Sequence, residues 1–165
     1  IWNVYQEESY KLNRRIKGVT QISFVLHQKI HLKGFSFAPL QKAYEKLYAS
    51  ENDAVYGDTF RIEGREVTGI GNNVTLEFHD MDFGEDGCSS VTICGRTHND
   101  KDAIHISFQE GEQETRQLVE FEGTADDSYR ELTFPLKCVK GTKTVRFIFL
   151  PGSNFDFSWV EFHKM

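Results

Sequence analysis

From residue 20 onward, apolar and polar positions alternate with a period of two, the pattern of half-buried β-strands. Ile22, Phe24 and Leu26 alternate with Ser23, Val25 and His27, and Ile30, Leu32, Phe35 and Phe37 extend the pattern. Further alternating runs cover 74–78, 90–93, 104–108, 118–121, 132–134, 144–149 and 155–162. Segments rich in Gly, Asn and Asp separate them, at 84–87, 98–102, 110–112, 123–127 and 151–154. Strands at intervals of roughly ten residues with polar turns predict an all-β sandwich or barrel. Residues 39–50 are the one helix-like stretch by propensity. Ala43, Tyr44 and Leu47 form no long apolar stripe, so an edge strand fits that stretch equally well. Residues 1–19 are polar and weakly patterned and read as a linker or edge strap, leaving 20–165 as one module.

The chain has 165 residues, enough for one domain with its own core. Aromatic content is 13%, with 14 phenylalanines, which favours pleated surfaces over helices. The net charge is 19 − 25 = −6. An acidic domain does not draw in a nucleic-acid backbone or an anionic membrane, and neither is expected as a partner. No apolar run approaches the roughly 20 residues of a membrane helix. Cys88, Cys94 and Cys138 have no His or Cys at zinc spacing and read as buried or half-buried free thiols. The opening Ile1-Trp2-Asn3-Val4-Tyr5 has neither a signal-peptide layout nor a Met, and reads as cut from something larger, with no address in it.

Familiar site chemistries fail on spacing. His27 and His31 would be a metal pair on a helix, but on a strand they stand about 13 Å apart. Asp80, Asp82, Glu85 and Asp86 lack the ligand order of a calcium-binding helix–loop–helix and read as a solvated turn. Gly69-x-Gly71 precedes a strand rather than a helix, so it is no dinucleotide loop. His105 alternates with Ile104 and Ile106 and points away from the core. No Ser or Cys stands in a nucleophile-elbow setting. Asn73-Val74-Thr75 fits a glycosylation sequon, relevant only in a eukaryotic secretory host.

Residues 67–78, a Gly-containing loop entering a strand, together with 129–136 and the ending Asn154-Phe155-Asp156-Phe157-Ser158-Trp159, resemble carbohydrate-binding modules of the family 6 type. Lys33-Gly34-Phe35-Ser36-Phe37, Tyr56-Gly57-Asp58, Gly69-Ile70-Gly71-Asn72-Asn73 and Asp80-Met81-Asp82-Phe83-Gly84 are similar to the C-terminal region of bacterial glycoside hydrolase family 2 β-galactosidases, over roughly 20–163. The resemblance implies an antiparallel two-sheet, galactose-binding-like jelly roll with sugar-binding loops at one end. It implies a non-catalytic module that binds a β-galactoside or related glycan weakly, beside the catalytic domain of a parent β-galactosidase. The alternative is a purely structural module that braces that domain. The catalytic carboxylate pair of such enzymes sits in a separate barrel, so no catalytic residue is expected here.

The resemblance also implies site residues. Asn154 falls where the family carries a hydrogen-bonding Asn, although it could equally shape the turn after Pro151-Gly152. Asn72, Asp126 and Asp127 are further candidate sugar contacts, or simply solvated loop residues. The family's two stacking aromatics fall near Ile70 and Asp126, and neither position is aromatic. Tyr129 matches a buried core aromatic of the family. Trp2, Tyr5 and Tyr10 could form a stacking platform or pack against protein. A structural calcium is implied between Asp156 and Glu45, with Glu51 in reserve, unless Lys46 pairs with Asp156 instead. In the closing strand Phe155, Phe157 and Trp159 share one parity, which places all three on the inner face.

Overall fold

The computed structural model describes residues 4–10, 12, 16, 19–37 and 42–165. The chain divides into two units, Ile1–Ala38 and Pro39–Met165.

In the first unit the described residues form no helix or strand. Ile22, Phe24, Leu26, Ile30, Leu32, Phe35 and Phe37 are all exposed. The strands expected over 22–26 and 30–37 are therefore corrected. Alternation marks a chain able to pleat, but a strand also needs a ladder partner and an apolar face to cover. The contacts here are local: the Phe24 and Phe35 rings lie 5.1 Å apart and the Lys33 ammonium 5.8 Å from the Tyr5 ring. Tyr5 and Tyr10 are exposed, and Trp2 lies outside the described residues.

The second unit holds eleven strands. They are β1 (Leu47–Tyr48), β2 (Ala54–Tyr56), β3 (Arg61–Glu63), β4 (Glu66–Ile70), β5 (Thr75–Asp82) and β6 (Cys88–Thr97), followed by β7 (Lys101–Glu110), β8 (Gln113–Glu122), β9 (Arg130–Val139), β10 (Thr142–Phe149) and β11 (Phe155–Lys164). The helix-like stretch resolves into single 3-10 turns, Lys42–Tyr44 and Ala49–Glu51, flanking the short strand β1. One sheet runs β3-β4-β11-β6-β9 with β1 also paired to β11, the other β2-β5-β10-β7-β8. Pairing is antiparallel throughout. From β4 onward every connection except β7–β8 crosses from one sheet to the other, the winding of a jelly roll. The two-sheet sandwich expected from the sequence is present.

Phenylalanine builds the core. Phe78, Phe83, Phe108, Phe121, Phe147, Phe149, Phe155, Phe157 and Phe162 are all buried. Rings meet across the two sheets edge to face: Phe147 with Phe157 at 5.2 Å, and Phe121 with Phe155 at 5.0 Å. Each such pair adds about 0.5–1.5 kcal/mol beyond the area it buries.

The parity of β11 breaks at Ser158. Phe157 pairs with Gly95 but Trp159 with Cys94, so one extra residue sits in β11 as a β-bulge. Phe155 and Phe157 face the core before the bulge, Val160 and Phe162 after it. Trp159 is thereby turned to the outer face, where the Lys46 ammonium covers its ring at 3.8 Å. Its expected place on the inner face beside Phe155 and Phe157 is corrected, since strict alternation does not survive a bulge, but it is buried as expected, at 8% exposure. Cys138 is exposed, whereas Cys88 and Cys94 are buried, and burial pushes the Cys88 thiol up to about 11.

Gly95 makes room for this packing. A Cβ there would stand 2.3 Å from the Phe155 ring and 2.8 Å from the Asp156 carbonyl oxygen, on a strand with no slack. Gly95→Ala is expected to lower stability by about 1–3 kcal/mol through overpacking, read as an earlier urea midpoint with unchanged slope. An unshifted midpoint would contradict the close approach.

Candidate functional site

The β4–β5, β6–β7, β8–β9 and β10–β11 connections meet at one end of the sandwich, joined by side-chain bonds. The Asn99 carboxamide donates to Asp102 Oδ1 at 3.0 Å and to the Gly152 carbonyl at 2.9 Å. Gly152 N–H donates to Asn72 Oδ1 at 2.6 Å. His98 lies between two carboxylates, with Nδ1 2.8 Å from Asp127 Oδ2 and Nε2 3.1 Å from Asp156 Oδ2. Asp102 is 4% exposed, and its Oδ2 accepts the Thr97 hydroxyl at 2.7 Å and the Asn154 amide at 3.2 Å.

Asp156 is the hub. It sits between two core phenylalanines on β11, which turns it to the opposite face, yet it is 3% exposed. Its Oδ1 accepts Gly69 N–H at 2.8 Å, and its Oδ2 accepts Arg96 Nε at 3.1 Å and Nη2 at 2.5 Å besides His98. Burial pushes its pKa up, but the Gly69 amide, Arg96 and His98 outweigh that and hold it below the usual carboxylate value. The Arg96 guanidinium also stacks 4.9 Å from the Tyr129 ring, whose hydroxyl donates to Glu66 Oε2 at 2.7 Å. Tyr129 is 37% exposed. The reading of it as a buried core aromatic is corrected: it caps the arginine at the surface.

These contacts do not fit the expected calcium. Both Asp156 oxygens already accept N–H donors, one of them from a cation. Glu45 lies outside the strands, and β1, which follows it, pairs Leu47 with Val160 and Tyr48 with Trp159, past the bulge from Asp156. Glu51 instead accepts the Tyr48 amide at 3.0 Å. Lys46 does not pair with Asp156 either, since it lies over Trp159. Among the described residues no cluster of three or more His, Cys, Asp or Glu is placed to hold a metal ion.

The four candidate sugar contacts do come together at this end. Asn154 is exposed; its backbone is tied to His98 and Asp102, and among the described residues no bond occupies its carboxamide. Asn72 uses its oxygen on Gly152 and keeps its NH2 group. Asp126 Oδ1 accepts the Ser128 hydroxyl at 2.9 Å, and bonds from Thr124 and Ser128 hold this exposed carboxyl below its ordinary pKa. Asp127 is engaged by His98. Ile70, at a family stacking position, is fully buried in the core and cannot serve as a platform. The aromatic rings exposed in this unit are Tyr56 and Tyr129. Arg96, His98, Asn99 and Asp102 escaped sequence reasoning. Asp102 alone left a signal, because it shares the inward parity of Ile104, Ile106 and Phe108.

A second polar network covers the outer face of the five-stranded sheet. Glu77 accepts the Tyr56 hydroxyl at 2.8 Å and Arg146 Nε at 2.6 Å, and meets His79 Nε2 at 3.0 Å. Burial raises the Glu77 pKa, but its bonds from His79, Arg146 and Tyr56 prevail and hold it at about 2. His105 lies on this face, as expected, with its Nδ1 buried and unpartnered among the described residues.

No protein-family model and no curated protein matches the chain. Solved structures do. A family 6 carbohydrate-binding module of Clostridium stercorarium, in complex with cellobiose, is 25% identical with a TM-score of 0.64, over 74% of this chain and 95% of that one. A β-1,3-glucan-binding module of the same family from Bacillus halodurans is 19% identical at a TM-score of 0.63, over 73% of this chain and 96% of that one. A family 43 arabinoxylan arabinofuranohydrolase of Bacillus subtilis, in complex with cellotetraose, matches at 18% identity and a TM-score of 0.60, over 74% of this chain but 28% of that one. The chain has the β-sandwich fold of family 6 carbohydrate-binding modules. None of these matches is a family 2 β-galactosidase.

Two stability predictions follow from the carboxylates. Asp156→Asn removes the charge that satisfies Arg96 and is expected to cost about 2 kcal/mol, with faster amide exchange in loops 98–100 and 150–154. Unchanged exchange there would deny Asp156 its role as hub. Glu77 has a folded-state pKa below its ordinary value, so its stabilising contribution is full above about pH 4.5 and fades as pH falls toward 2. The difference in Tm between wild type and Glu77→Gln should therefore shrink as pH is lowered from about 5 to about 2, across that window. A constant difference across that range would contradict it.

Proposed function

We propose that this chain is a non-catalytic carbohydrate-binding module whose ligand sits at the loop end, against Asn154, Asn72, Asp126 and Asp127. The observation that carries the reading is the convergence of these four residues, from three separate connections, at one end of a sandwich of this fold. Asn154 offers an unoccupied carboxamide donor and acceptor, which suits a sugar hydroxyl. Asp126 adds a carboxylate oxygen and Asn72 an NH2 group. The intended ligand is a β-galactoside or a related glycan, and the parent a bacterial family 2 β-galactosidase whose catalytic domain this module accompanies. That assignment rests on the sequence resemblance.

One observation favours a second reading, that of a structural brace without a sugar ligand. Ile70 is locked in the core and Asp126 is not aromatic, so the stacking platform of the family has no counterpart at those positions. Titration calorimetry with galactose, lactose, cellobiose and β-1,3-glucan oligosaccharides separates the two. Binding is expected in the millimolar range with at least one of them, and Asn154→Ala is expected to weaken it by about tenfold, the worth of one net hydrogen bond with its partner left unpaired. Silence of the wild type at tens of millimolar sugar would leave the brace as the reading.

A further inference from the structure

At the end of the sandwich away from the loop cluster, the seam between the two sheets stands open. The edge strands there are β8 and β9, and a groove of about 590 Å³ runs between them, lined by Thr115, Arg116, Gln117, Lys137, Cys138 and Val139 and closed off by Lys140 and Lys143. Two departures from sandwich patterning create it. On β8 the core-facing parity carries Val119 and Phe121, but continues outward as Gln117 and Thr115, opposite Ile106 and Phe108. Polar side chains at core-facing positions keep the seam wet. On β9 the register slips: Cys88 pairs with Val139 and Ser90 with Pro135, so four steps of β9 answer two of β6. The excess bulges Lys137 and Cys138 out to the surface of the groove, where both are exposed. Gln117 bridges the gap, accepting Lys137 N–H at 2.7 Å and donating to the Lys137 carbonyl at 3.3 Å.

The rim is cationic on a chain whose net charge is −6. Arg116 is paired with Glu114 and Lys143 with Glu110. Lys137 and Lys140 have no carboxylate partner among the described residues. No aromatic ring lines the groove, which argues against a neutral sugar stacked on a platform and against a peptide anchored by apolar side chains. What remains is a polar floor, the Thr115 hydroxyl, and two unpaired ammonium groups above it.

We propose that this seam is a second binding site, for an anionic saccharide whose carboxylate or sulfate groups pair with Lys137 and Lys140. The assignment builds on the carbohydrate-binding reading but uses a different end of the molecule, so the two stand or fall separately.

Affinity gel electrophoresis with polygalacturonate, dextran sulfate and a neutral glucan tests it. Wild type is expected to be retarded by at least one polyanion, and progressively less so as salt is raised. Lys137→Gln/Lys140→Gln is expected to weaken retardation about tenfold or more. The charge-matched Lys29→Gln/Lys33→Gln and the loop variant Asn154→Ala should retain it. Carboxylate or sulfate preference is read from which of the two polyanions retards more strongly. The proposal is overturned if neither polyanion retards the wild type, or if both lysine pairs weaken binding equally, which would mean diffuse attraction. Competition by polyglutamate as effective as that by polygalacturonate at equal charge would also overturn it, marking an acidic-peptide site. Loss of neutral-glycan binding in Asn154→Ala with polyanion retardation intact bears on the loop-end reading alone.

Discussion

A single carboxylate placed on the wrong side of a phenylalanine core organises the loop end of this molecule. Phe155 and Phe157 must face inward, so Asp156 between them faces the other way, where it is nonetheless almost shut off from water. An isolated buried carboxylate is costly, and it persists only if hydrogen-bonded donors and a cation answer it. Gly69, Arg96 and His98 are those answers, drawn from β4, from β6 and from the turn after β6. Each then fixes something further. Arg96 holds Tyr129, His98 holds Asp127, and the β6–β7 turn reaches Gly152 through Asn99. The loops are therefore positioned by electrostatic satisfaction of one residue in the closing strand.

Much of the sandwich was legible because its strands obey the period of two. Residues 74–78, 104–108 and 144–149 alternate and form strands β5, β7 and β10 in the five-stranded sheet. The reading failed wherever alternation was necessary but not sufficient. Phe24 and Phe35 alternate with polar neighbours, yet no ladder partner takes them up within their unit. Trp159 has the parity of Phe155 and Phe157, yet the bulge at Ser158 reverses it. A one-residue slip flips every later side chain, and nothing in Phe157-Ser158-Trp159 announces where the slip occurs. The loop-end candidates were legible as residues but not as a network. Asn154, Asn72, Asp126 and Asp127 are distant in sequence, and the bonds that join their loops run through His98, Asn99 and Asp102. Glu45 and Asp156 failed as a metal pair for a related reason. The resemblance puts both in strands, but Glu45 lies outside the strands, and β1, which follows it, pairs with Trp159 and Val160 of β11, past the bulge from Asp156.

The composition of the loop end also sets how tightly it can bind. The four polar side chains proposed to meet a sugar, each giving about 0.5–1.5 kcal/mol net, must offset the cost of fixing it, and a millimolar constant already needs about 4 kcal/mol. A stacked ring would supply much of the difference, and the family positions that would carry it are Ile70 and Asp126. Tyr129 cannot be lent to a ligand without cost, because Arg96 lies against its ring and Glu66 holds its hydroxyl. Under the proposed function, weak binding is thus the ceiling for this end, which keeps bracing as the rival reading of the same loops.

The opposite end departs from the fold in the other direction. At the loop end an inward-parity carboxylate, Asp102, is fully answered by Thr97, Asn99 and the Asn154 amide. At the seam the inward positions carry the exposed Thr115 and the half-buried Gln117, which is tied to the Lys137 backbone, and the bulge in β9 exposes Lys137 where a sandwich edge would ordinarily be closed with apolar residues. Closing that edge would need only Val or Leu at two positions, each worth about 1.5–3 kcal/mol when buried. Leaving it open forgoes that stabilisation and concentrates positive charge on an acidic protein. Self-repulsion among Arg116, Lys137, Lys140 and Lys143 is relieved only in part by Glu110 and Glu114. An anion seated between Lys137 and Lys140 would complete the compensation that the loop end achieves with its own residues.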